Sequence, residues 1–256
     1  MGQDLMENLS SKTERDADQY DKEKSSEYAR MVENDPSKKY SQYPEALRLL
    51  GELENKNVLD IGCGSGGFTR MMAEKGAKVV GYDPAEEQVR KAQDAERNNP
   101  LGIKYFVSDR PSISSDIKFD LASSVLVLPH AETKEKLEEI FKYAQESLLP
   151  DGRFVSITLN PDFKRLGENT YNRRFTRKDG RNYADFLDNQ GNVLLSLNSK
   201  YHSRADYEEA AKNAGFKRIE WITLAVDPKG KEDLGEEYWD KYEEDCPWIG
   251  LIAYKE

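Results

Sequence analysis

The sequence contains little cysteine and little histidine, with two of each among 256 residues. Cys63 and Cys246 need not pair with each other, and with His130 and His202 they form no recognisable zinc-binding pattern. Cys63 stands inside a glycine-rich run, where a small packing residue is expected rather than a nucleophile. This scarcity argues against a disulfide-stabilised scaffold and gives no reason to expect a metal.

The chain also lacks an excess of positive charge and any long apolar run. Its formal net charge of −10 argues against a nucleic-acid substrate, because binding phosphates requires a basic surface. No window approaches the roughly 20 apolar residues of a membrane helix. The first residues have neither the basic nor the apolar segment of a signal peptide. We therefore expect a cytoplasmic protein without a membrane partner, either a monomer or a homodimer.

The most informative run that is present is VLDIGCGSGG, residues 58–67. Its apolar, β-prone start predicts a buried strand. Its glycines predict a sharp turn whose backbone can approach a ligand closely. Residues 68–75 then have helical spacing and are followed by Gly76, a suitable C-terminal cap. Strand, turn and helix N-terminus together predict a cradle for a nucleotide.

The residue that indicates which nucleotide is Asp60, two positions before the first glycine. A carboxylate there repels a pyrophosphate and attracts the cationic amine of a methionine moiety. The run resembles motif I of the class I S-adenosylmethionine (SAM) methyltransferases, which implies SAM as the cofactor. The motif residues expected to bind it are Asp60, Gly62, Cys63 and Gly64. The glycines also fit the G-x-G-x-x-G pattern, so a dinucleotide enzyme and a glycine turn without a ligand stay open as alternatives.

Two further acidic residues follow predicted strands. Asp83, which precedes Pro84, ends a short apolar run at the position of an acid that accepts hydrogen bonds from both ribose hydroxyls. Asp109 ends a third strand, and the family resemblance implies that it contacts the adenine amine, with Arg110 beside it. Each could instead be an ordinary turn residue, because Asp is common in turns and before proline.

The remaining pattern predicts the rest of the core. A fourth strand covers 119–128, an amphipathic helix follows it, and a fifth strand ends at residue 159. A late helix and the strands 216–224 and 249–254 complete the chain. This order predicts an α/β fold, a Rossmann-like seven-stranded sheet with helices on both faces and a C-terminal antiparallel hairpin, which dinucleotide domains lack.

Two positions in or just after the fourth strand are candidates for the site. Ser123 or Ser124 is expected to end near the cofactor, and Ser124 is the one assigned to cofactor binding. His130 is the best-placed general base, which would contribute about 10²–10⁴-fold if the acceptor must lose a proton. His130 could equally be a packing or hydrogen-bonding residue.

We expect a disordered tail at residues 1–15 and a single methyltransferase domain at 16–256, with an N-terminal helical lid at 16–50. Tyr20 and Tyr28 lie eight residues apart, close to one helical face, and could close over the acceptor and the cofactor respectively. Packing of this helix on the sheet edge explains them equally well.

Residues 160–204 predict a β-insertion after the fifth strand, with a hairpin turn at 189–192, that covers the substrate. Its basic residues suggest that Arg173 and Arg174 bind an anionic part of the acceptor, and Tyr171 beside them is a further candidate for contact with the acceptor. They could also be solvated loop residues.

The layout, including Tyr238-Trp239 and the segment 202–216, looks most like the small-molecule subgroup that contains toxoflavin-pathway N-methyltransferases. The resemblance implies methyl transfer from SAM to a small-molecule acceptor by in-line displacement, at N or O in preference to C or S. A protein methyltransferase and a non-catalytic SAM-binding domain are the alternatives.

Overall fold

The computed structural model describes residues 35–109, 118–188 and 190–256. The predicted tail, most of the predicted lid with Tyr20 and Tyr28, and Arg110 lie outside the described residues. The described part of the lid is a π-helical turn, Lys38–Gln42, that continues into helix α1. The helices are α1 (Tyr43–Leu50), α2 (Gly67–Glu74), α3 (Glu86–Asn98), α4 (Lys134–Ser147), α5 (Arg204–Asn213) and α6 (Pro228–Leu234).

The described strands form two sheets. In chain order they are β1 (Asn57–Ile61), β2 (Lys78–Asp83), β3 (Lys104–Val107), β4 (Phe119–Val125), β5 (Leu148–Leu159), β6 (Asn169–Thr170), β7 (Arg173–Lys178), β8 (Arg181–Leu187), β9 (Val193–Lys200), β10 (Arg218–Thr223) and β11 (Trp248–Tyr254).

The larger sheet has seven strands in the order β10-β11-β5-β4-β1-β2-β3. Strands β1 to β5 pair in parallel, whereas β11 is antiparallel to both β5 and β10. The central strands are almost wholly buried, which explains why their sequences read as continuous apolar runs rather than as alternating ones. The predicted seven-stranded sheet and its C-terminal antiparallel hairpin are confirmed.

Helices cover both faces of this sheet, as predicted. On one face α1, α2 and α3 contribute apolar side chains such as Leu50, Met72 and Val89 to one core cluster. On the other face α4 and α5 contribute Phe141 and Tyr207 to a second cluster. No helix within the described ranges has both the length and the apolar character needed to cross a membrane.

The predicted β-insertion is confirmed as a separate four-stranded antiparallel sheet in the order β6-β7-β8-β9. Strands β8 and β9 pair as an antiparallel hairpin, and Asp188 Oδ1 accepts the backbone N–H groups of Gln190 and Asn192, each at 2.8 Å. A two-point ion pair ties the insertion to the main domain, because the Arg181 guanidinium donates to both carboxylate oxygens of Glu132 at 2.6 and 2.9 Å. The insertion is thereby held over the segment that follows β4.

Candidate active site

The glycine turn after β1 is fixed by backbone hydrogen bonds to the end of β2. The N–H groups of Gly62 and Cys63 both donate to the Tyr82 carbonyl at 2.9 Å. Gly62 has φ +70°, and a Cβ on it would lie 2.3 Å from Val127 Cγ2. This position therefore requires glycine for two reasons, the left-handed backbone and the close approach of the loop after β4.

Gly64 differs from Gly62 in what surrounds it. Its φ is +52°, but a Cβ there would meet nothing within 4 Å. The turn thus presents bare backbone to open space, immediately before the N-terminus of α2, whose N-cap is Gly66 and carries no side-chain cap. This is the geometry that a close-lying ligand needs, since an added side chain would project into the ligand rather than into protein.

Asp83, at the end of β2, lies partly exposed beside this open space. Its Oδ2 accepts the Gly64 N–H at 3.0 Å and its Oδ1 accepts the Ala85 N–H at 2.8 Å. Burial raises the pKa of this carboxyl, and the two backbone N–H donors oppose that rise. Each oxygen keeps a lone pair, so both can still accept a ligand hydroxyl.

The structure brings the predicted acid Asp109 close to Asp83. Asp83 pairs with Val107 across β2 and β3, and the Ser108 N–H donates to the Asp83 carbonyl at 3.0 Å. Asp109 follows directly and is exposed. Pro84 stands between Asp83 and the start of α3. The two acids therefore end neighbouring strands at the same edge of the sheet.

Asp60 is buried beneath the glycine turn, with 2 % of its surface exposed. Its two oxygens accept hydrogen bonds from the hydroxyls of Thr69 at 2.6 Å and Ser123 at 2.8 Å. Desolvation raises its pKa to about 6, against the two hydroxyl donors, which lower it. The carboxylate thus connects β1, α2 and β4, and its expected role toward a ligand amine stays a prediction.

Two motif residues have mainly structural contacts. Cys63 is buried, its thiol donates to the Gly64 carbonyl at 3.7 Å, and burial raises its pKa far above that of a free thiol. It packs against Gly81, where a Cβ would lie 2.9 Å from the Cys63 Cβ. Ser124 turns away from the cradle, because successive side chains alternate along β4, and its hydroxyl bonds that of Ser156 at 2.9 Å. Ser123 is the serine that contacts Asp60.

A cavity of about 90 Å³ lies between the inserted sheet and the C-terminal ends of β4 and β5. Since one water needs roughly 10–15 Å³ by the same measure, it holds several water-sized groups. Its lining is mainly apolar and aromatic, with Phe175, Phe186 and Trp248 among the walls. The polar lining comes from Asp35, Lys38, Gln42, His130, Arg173, Asn182, Asn198 and Ser199.

The cavity and the glycine turn share a wall, the segment 126–130 that follows β4. Val127 contacts the Gly62 position, whereas Leu126, Pro129 and His130 line the cavity. Leu126 adopts φ +61°, which is a strained conformation for a leucine, while its N–H donates to the Ile157 carbonyl at 2.8 Å. The local strain lets neighbouring residues face two different sites.

His130 ends a short 3₁₀ turn, Leu128–His130, and is exposed at the cavity. This is a position from which an imidazole can reach a ligand in the cavity. His202 is 2 % exposed instead, and its Nε2 lies 2.7 Å from the Ala131 carbonyl. Burial lowers the pKa of His202, so it is a neutral structural residue.

Of the two predicted arginines, only Arg173 lines the cavity. Its Nη2 donates to Asp35 Oδ2 at 2.5 Å, and both residues are almost fully buried, at 5 % and 6 % exposure. The guanidinium also lies 4.3 Å from the centre of the Phe186 ring and 5.2 Å from that of Trp248. Arg174 is the next residue on β7, so it points to the opposite face, where it pairs with Asp185 at 3.1 Å.

Tyr171 also lies away from the cavity lining. It is 7 % exposed, and its hydroxyl donates to the Asp240 carbonyl at 3.0 Å. Its ring packs with those of Trp239 and Tyr242, and burial raises its pKa to about 12. The structure therefore shows Tyr171 in core contacts, and its contact with the acceptor stays a prediction.

Three cavity residues, Asp35, Lys38 and Gln42, were not found by sequence reasoning. Asp35 precedes a proline, which is typical of a turn, and its partner Arg173 is 138 residues away. Lys38 and Gln42 lie four residues apart, a spacing that is common in any helix. No local signal distinguishes them from surface residues.

Comparison with known proteins gives one family and a consistent fold. Residues 20–220 match the family model described as Methyltransferase domain. Over 113 residues the chain is 29 % identical to a Coxiella burnetii protein described as ubiquinone biosynthesis O-methyltransferase, a match that covers 44 % of this chain and 47 % of that protein. The chain thus spans about half the length of the curated relatives it matches.

Two solved structures resemble the whole fold. An S-adenosylmethionine dependent methyltransferase from Mesorhizobium loti aligns with a TM-score of 0.60 and 23 % identity over 83 % of this chain and 97 % of its own. Another from Clostridium acetobutylicum aligns with a TM-score of 0.59 and 15 % identity over 96 % and 98 %. At these identities the likeness shows the architecture.

Proposed function

The chain belongs to the methyltransferase domain family, and on that premise we propose that it transfers a methyl group from S-adenosylmethionine to a small-molecule acceptor. The observation that carries this proposal is the shared wall at 126–130. It borders the glycine turn through Val127 and the cavity through Leu126. Cofactor and acceptor bound on its two sides would be neighbours, as a direct transfer between them requires.

The residues around the turn suit this cofactor. When bound, S-adenosylmethionine supplies a methyl group activated by a positively charged sulfur. Gly64 leaves space for a ligand against the backbone, and Asp83 keeps acceptor capacity for ribose hydroxyls. Asp109, at the neighbouring strand end, would contact the adenine of the cofactor, and Pro84 directly follows Asp83 in the chain. Arg110, the other predicted neighbour, lies outside the described residues. The solved neighbours described as SAM-dependent support the same cofactor.

Asp60 would act on the methionyl end through its charge. With a pKa of about 6 it is mostly ionised at pH 7, although buried. A cationic amine nearby would favour that ionised form further. Asp60 also positions Thr69 and Ser123, so its replacement would alter the cradle as well as its charge.

The chemistry asks the protein chiefly to orient and to exclude water. Holding the acceptor in line with the reacting bond supplies roughly 7–11 kcal/mol of the barrier. The cavity walls Phe175, Phe186 and Trp248 exclude water from the acceptor. His130 would remove a proton where the acceptor is a hydroxyl or a protonated amine, which favours N or O as the methylated atom.

The size and class of the acceptor form a second, narrower part of the proposed function. A cavity of about 90 Å³ favours a small molecule over a peptide. The sequence pattern resembles toxoflavin-pathway N-methyltransferases, whereas the matched curated relatives are described as O-methyltransferases. Both point to acceptors of low molecular mass.

Calorimetric titration with SAM, S-adenosylhomocysteine and NAD tests the cofactor. We expect micromolar binding of the first two, about −8 kcal/mol, and none of NAD. Asp83→Asn should weaken SAM binding at least tenfold. Asp151→Asn, a change of an exposed carboxylate at the far end of β5, is the matched control. NAD binding, or equal SAM affinity in the Asp83 variant, would refute the assignment.

His130→Gln tests the base once an acceptor is known. We expect kcat to fall more than tenfold while the Kd for SAM is unchanged, because the residue lines the acceptor cavity and not the glycine turn. An unaltered kcat, or a loss of SAM binding in proportion, would remove His130 from the reaction.

A further inference from the structure

The charged residues that line the cavity are unevenly matched. Lys38 and Arg173 are cationic and Asp35 is the one carboxylate among the described lining residues. Both oxygens of Asp35 already have hydrogen-bond donors. Its Oδ2 accepts from the Arg173 guanidinium at 2.5 Å, and its Oδ1 accepts the Ser37 N–H at 3.0 Å. The polar end of the cavity therefore carries a surplus positive charge.

The surplus falls on Lys38. Arg173 has its ion pair and two aromatic rings, whereas Lys38 forms no salt bridge within the described part of the chain. Its ammonium lies 5.5 Å from the centre of the Tyr43 ring. Desolvation lowers its pKa to about 8, Arg173 adds to that lowering, and Asp35 opposes it. A charge in this environment gains from an additional anion.

Gln42 provides a second, independent observation. Its side chain is completely buried and belongs to the cavity lining. Neither its amide nitrogen nor its amide oxygen has a hydrogen-bond partner among residues 35–109, 118–188 and 190–256. Buried polar groups are almost always hydrogen-bonded, so an amide left unpaired at a cavity points to a polar ligand.

The π-helical turn brings these two side chains to the same place. The Tyr43 N–H donates to the Lys38 carbonyl, which closes the wide turn. Residues four apart then lie on one face, so Lys38 and Gln42 both line the cavity. An isolated turn of this kind is often found at functional sites.

The rest of the cavity limits what the anion can be attached to. Phe175, Phe186 and Trp248 provide aromatic walls, and Leu126 and Leu159 add aliphatic ones. A flat apolar body fits such walls, whereas a strongly hydrated one would lose its water without replacement.

We propose that the cavity binds a small aromatic carboxylate, whose carboxylate group is held between the Lys38 ammonium and the Gln42 amide N–H. The Gln42 amide oxygen remains available to a hydroxyl or amino group of the same molecule. That this molecule is the methyl acceptor rests on the proposed function, but its binding does not.

The test uses benzoate and its neutral counterpart benzamide, titrated into the full chain at pH 7 and followed by ligand-observed NMR. We expect benzoate to bind at least tenfold more tightly than benzamide. Lys38→Met should abolish that preference, and Gln42→Leu should weaken benzoate several-fold. The control is Lys178→Met, the same change at an exposed lysine at the end of β7, which should leave the preference intact.

Each contrary result would overturn the inference. These are equal binding of the two probes, no binding of either at millimolar concentration, or a preference that survives in folded Lys38→Met. So would an equal loss in Lys178→Met, since it would show a non-specific effect of charge. SAM titrated into the same samples separates the proposals. SAM binding without a benzoate preference refutes only this inference, whereas a benzoate preference without SAM binding refutes only the proposed function.

Discussion

The glycine turn and the cavity lie on two sides of one wall, but they are built from different kinds of contact. The turn is held by hydrogen bonds between residues close in sequence, such as that from the Gly64 N–H to the Asp83 carboxylate across 19 positions. The cavity depends on side chains from distant segments, such as the pair of Asp35 and Arg173 across 138 positions. The proposed cofactor site is thus encoded mainly by local contacts, whereas the proposed acceptor site depends on the complete fold.

The largest effect is expected on the cavity side, from Arg173→Met. It leaves the Asp35 carboxylate buried without its cation and should lower the free energy of unfolding by about 3–5 kcal/mol. Asp35→Asn in the same chain should restore part of that loss. Arg174→Met, which breaks a half-exposed pair on the other face of β7, should cost less than about 1 kcal/mol. Denaturant unfolding of these three variants and of the unaltered chain measures this, and equal losses at 173 and 174 would contradict it.

A somewhat smaller effect is expected on the cofactor side, from Gly62→Ala. The new Cβ would collide with Val127 in a left-handed conformation, which together should cost roughly 3 kcal/mol and abolish SAM binding. Gly191→Ala has a similar φ, +83°, but meets nothing within 4 Å, so it isolates the backbone strain, roughly 1 kcal/mol. If both variants unfold alike, the close approach of Val127 is not what fixes the turn.

The smallest effect is expected on the pH dependence of stability, to which one charged residue on the cofactor side and one on the cavity side contribute. The Asp60 pKa is raised to about 6, so the native state holds more protons between pH 3.8 and 6 and stability falls as pH rises there. The Lys38 pKa is lowered to about 8, so the unfolded state holds more protons between pH 8 and 10.5 and stability rises there.

Each of these slopes should amount to at most about 1.4 kcal/mol per pH unit, the value for one proton. They depend on the groups that face each charge, namely Thr69, Ser123 and Asp83 for Asp60, and Asp35 and Arg173 for Lys38. Asp60→Asn should flatten only the acidic slope and Lys38→Met only the alkaline one. Unfolding free energies of both variants, measured across both pH ranges, test this. If a slope persists in the variant expected to remove it, that slope is assigned to the wrong residue.

The same comparison explains what could be predicted from the sequence. The strands, the glycine turn, the acids that end β2 and β3, and the inserted sheet each leave a local pattern, and the predicted sheet is confirmed. The sequence carries no such pattern for which side chains of a strand face a cavity. Neighbouring residues such as Ser123 and Ser124 look alike in sequence, yet one contacts Asp60 and the other Ser156.

Long-range partners leave no local pattern either. Tyr171 lies beside basic residues in the sequence, and nothing nearby in the chain indicates that the rings of Trp239 and Tyr242 pack against it. Lys38 and Gln42 acquire their role only when the turn that carries them packs near Arg173. Such contacts follow from the tertiary fold and not from any spacing along the chain.

The inserted sheet shares no strand pairing with the seven-stranded sheet among the described strands. Side chains on β7, β8 and β9 can therefore be replaced during evolution without disturbing the hydrogen-bond ladder that carries the glycine turn. The requirements that remain are few, chiefly the ion pairs of Arg181 with Glu132 and of Arg173 with Asp35, and the wall at 126–130. Related proteins could thus come to bind different acceptors through substitutions in the inserted sheet, while the glycine turn that we propose binds the cofactor stays the same.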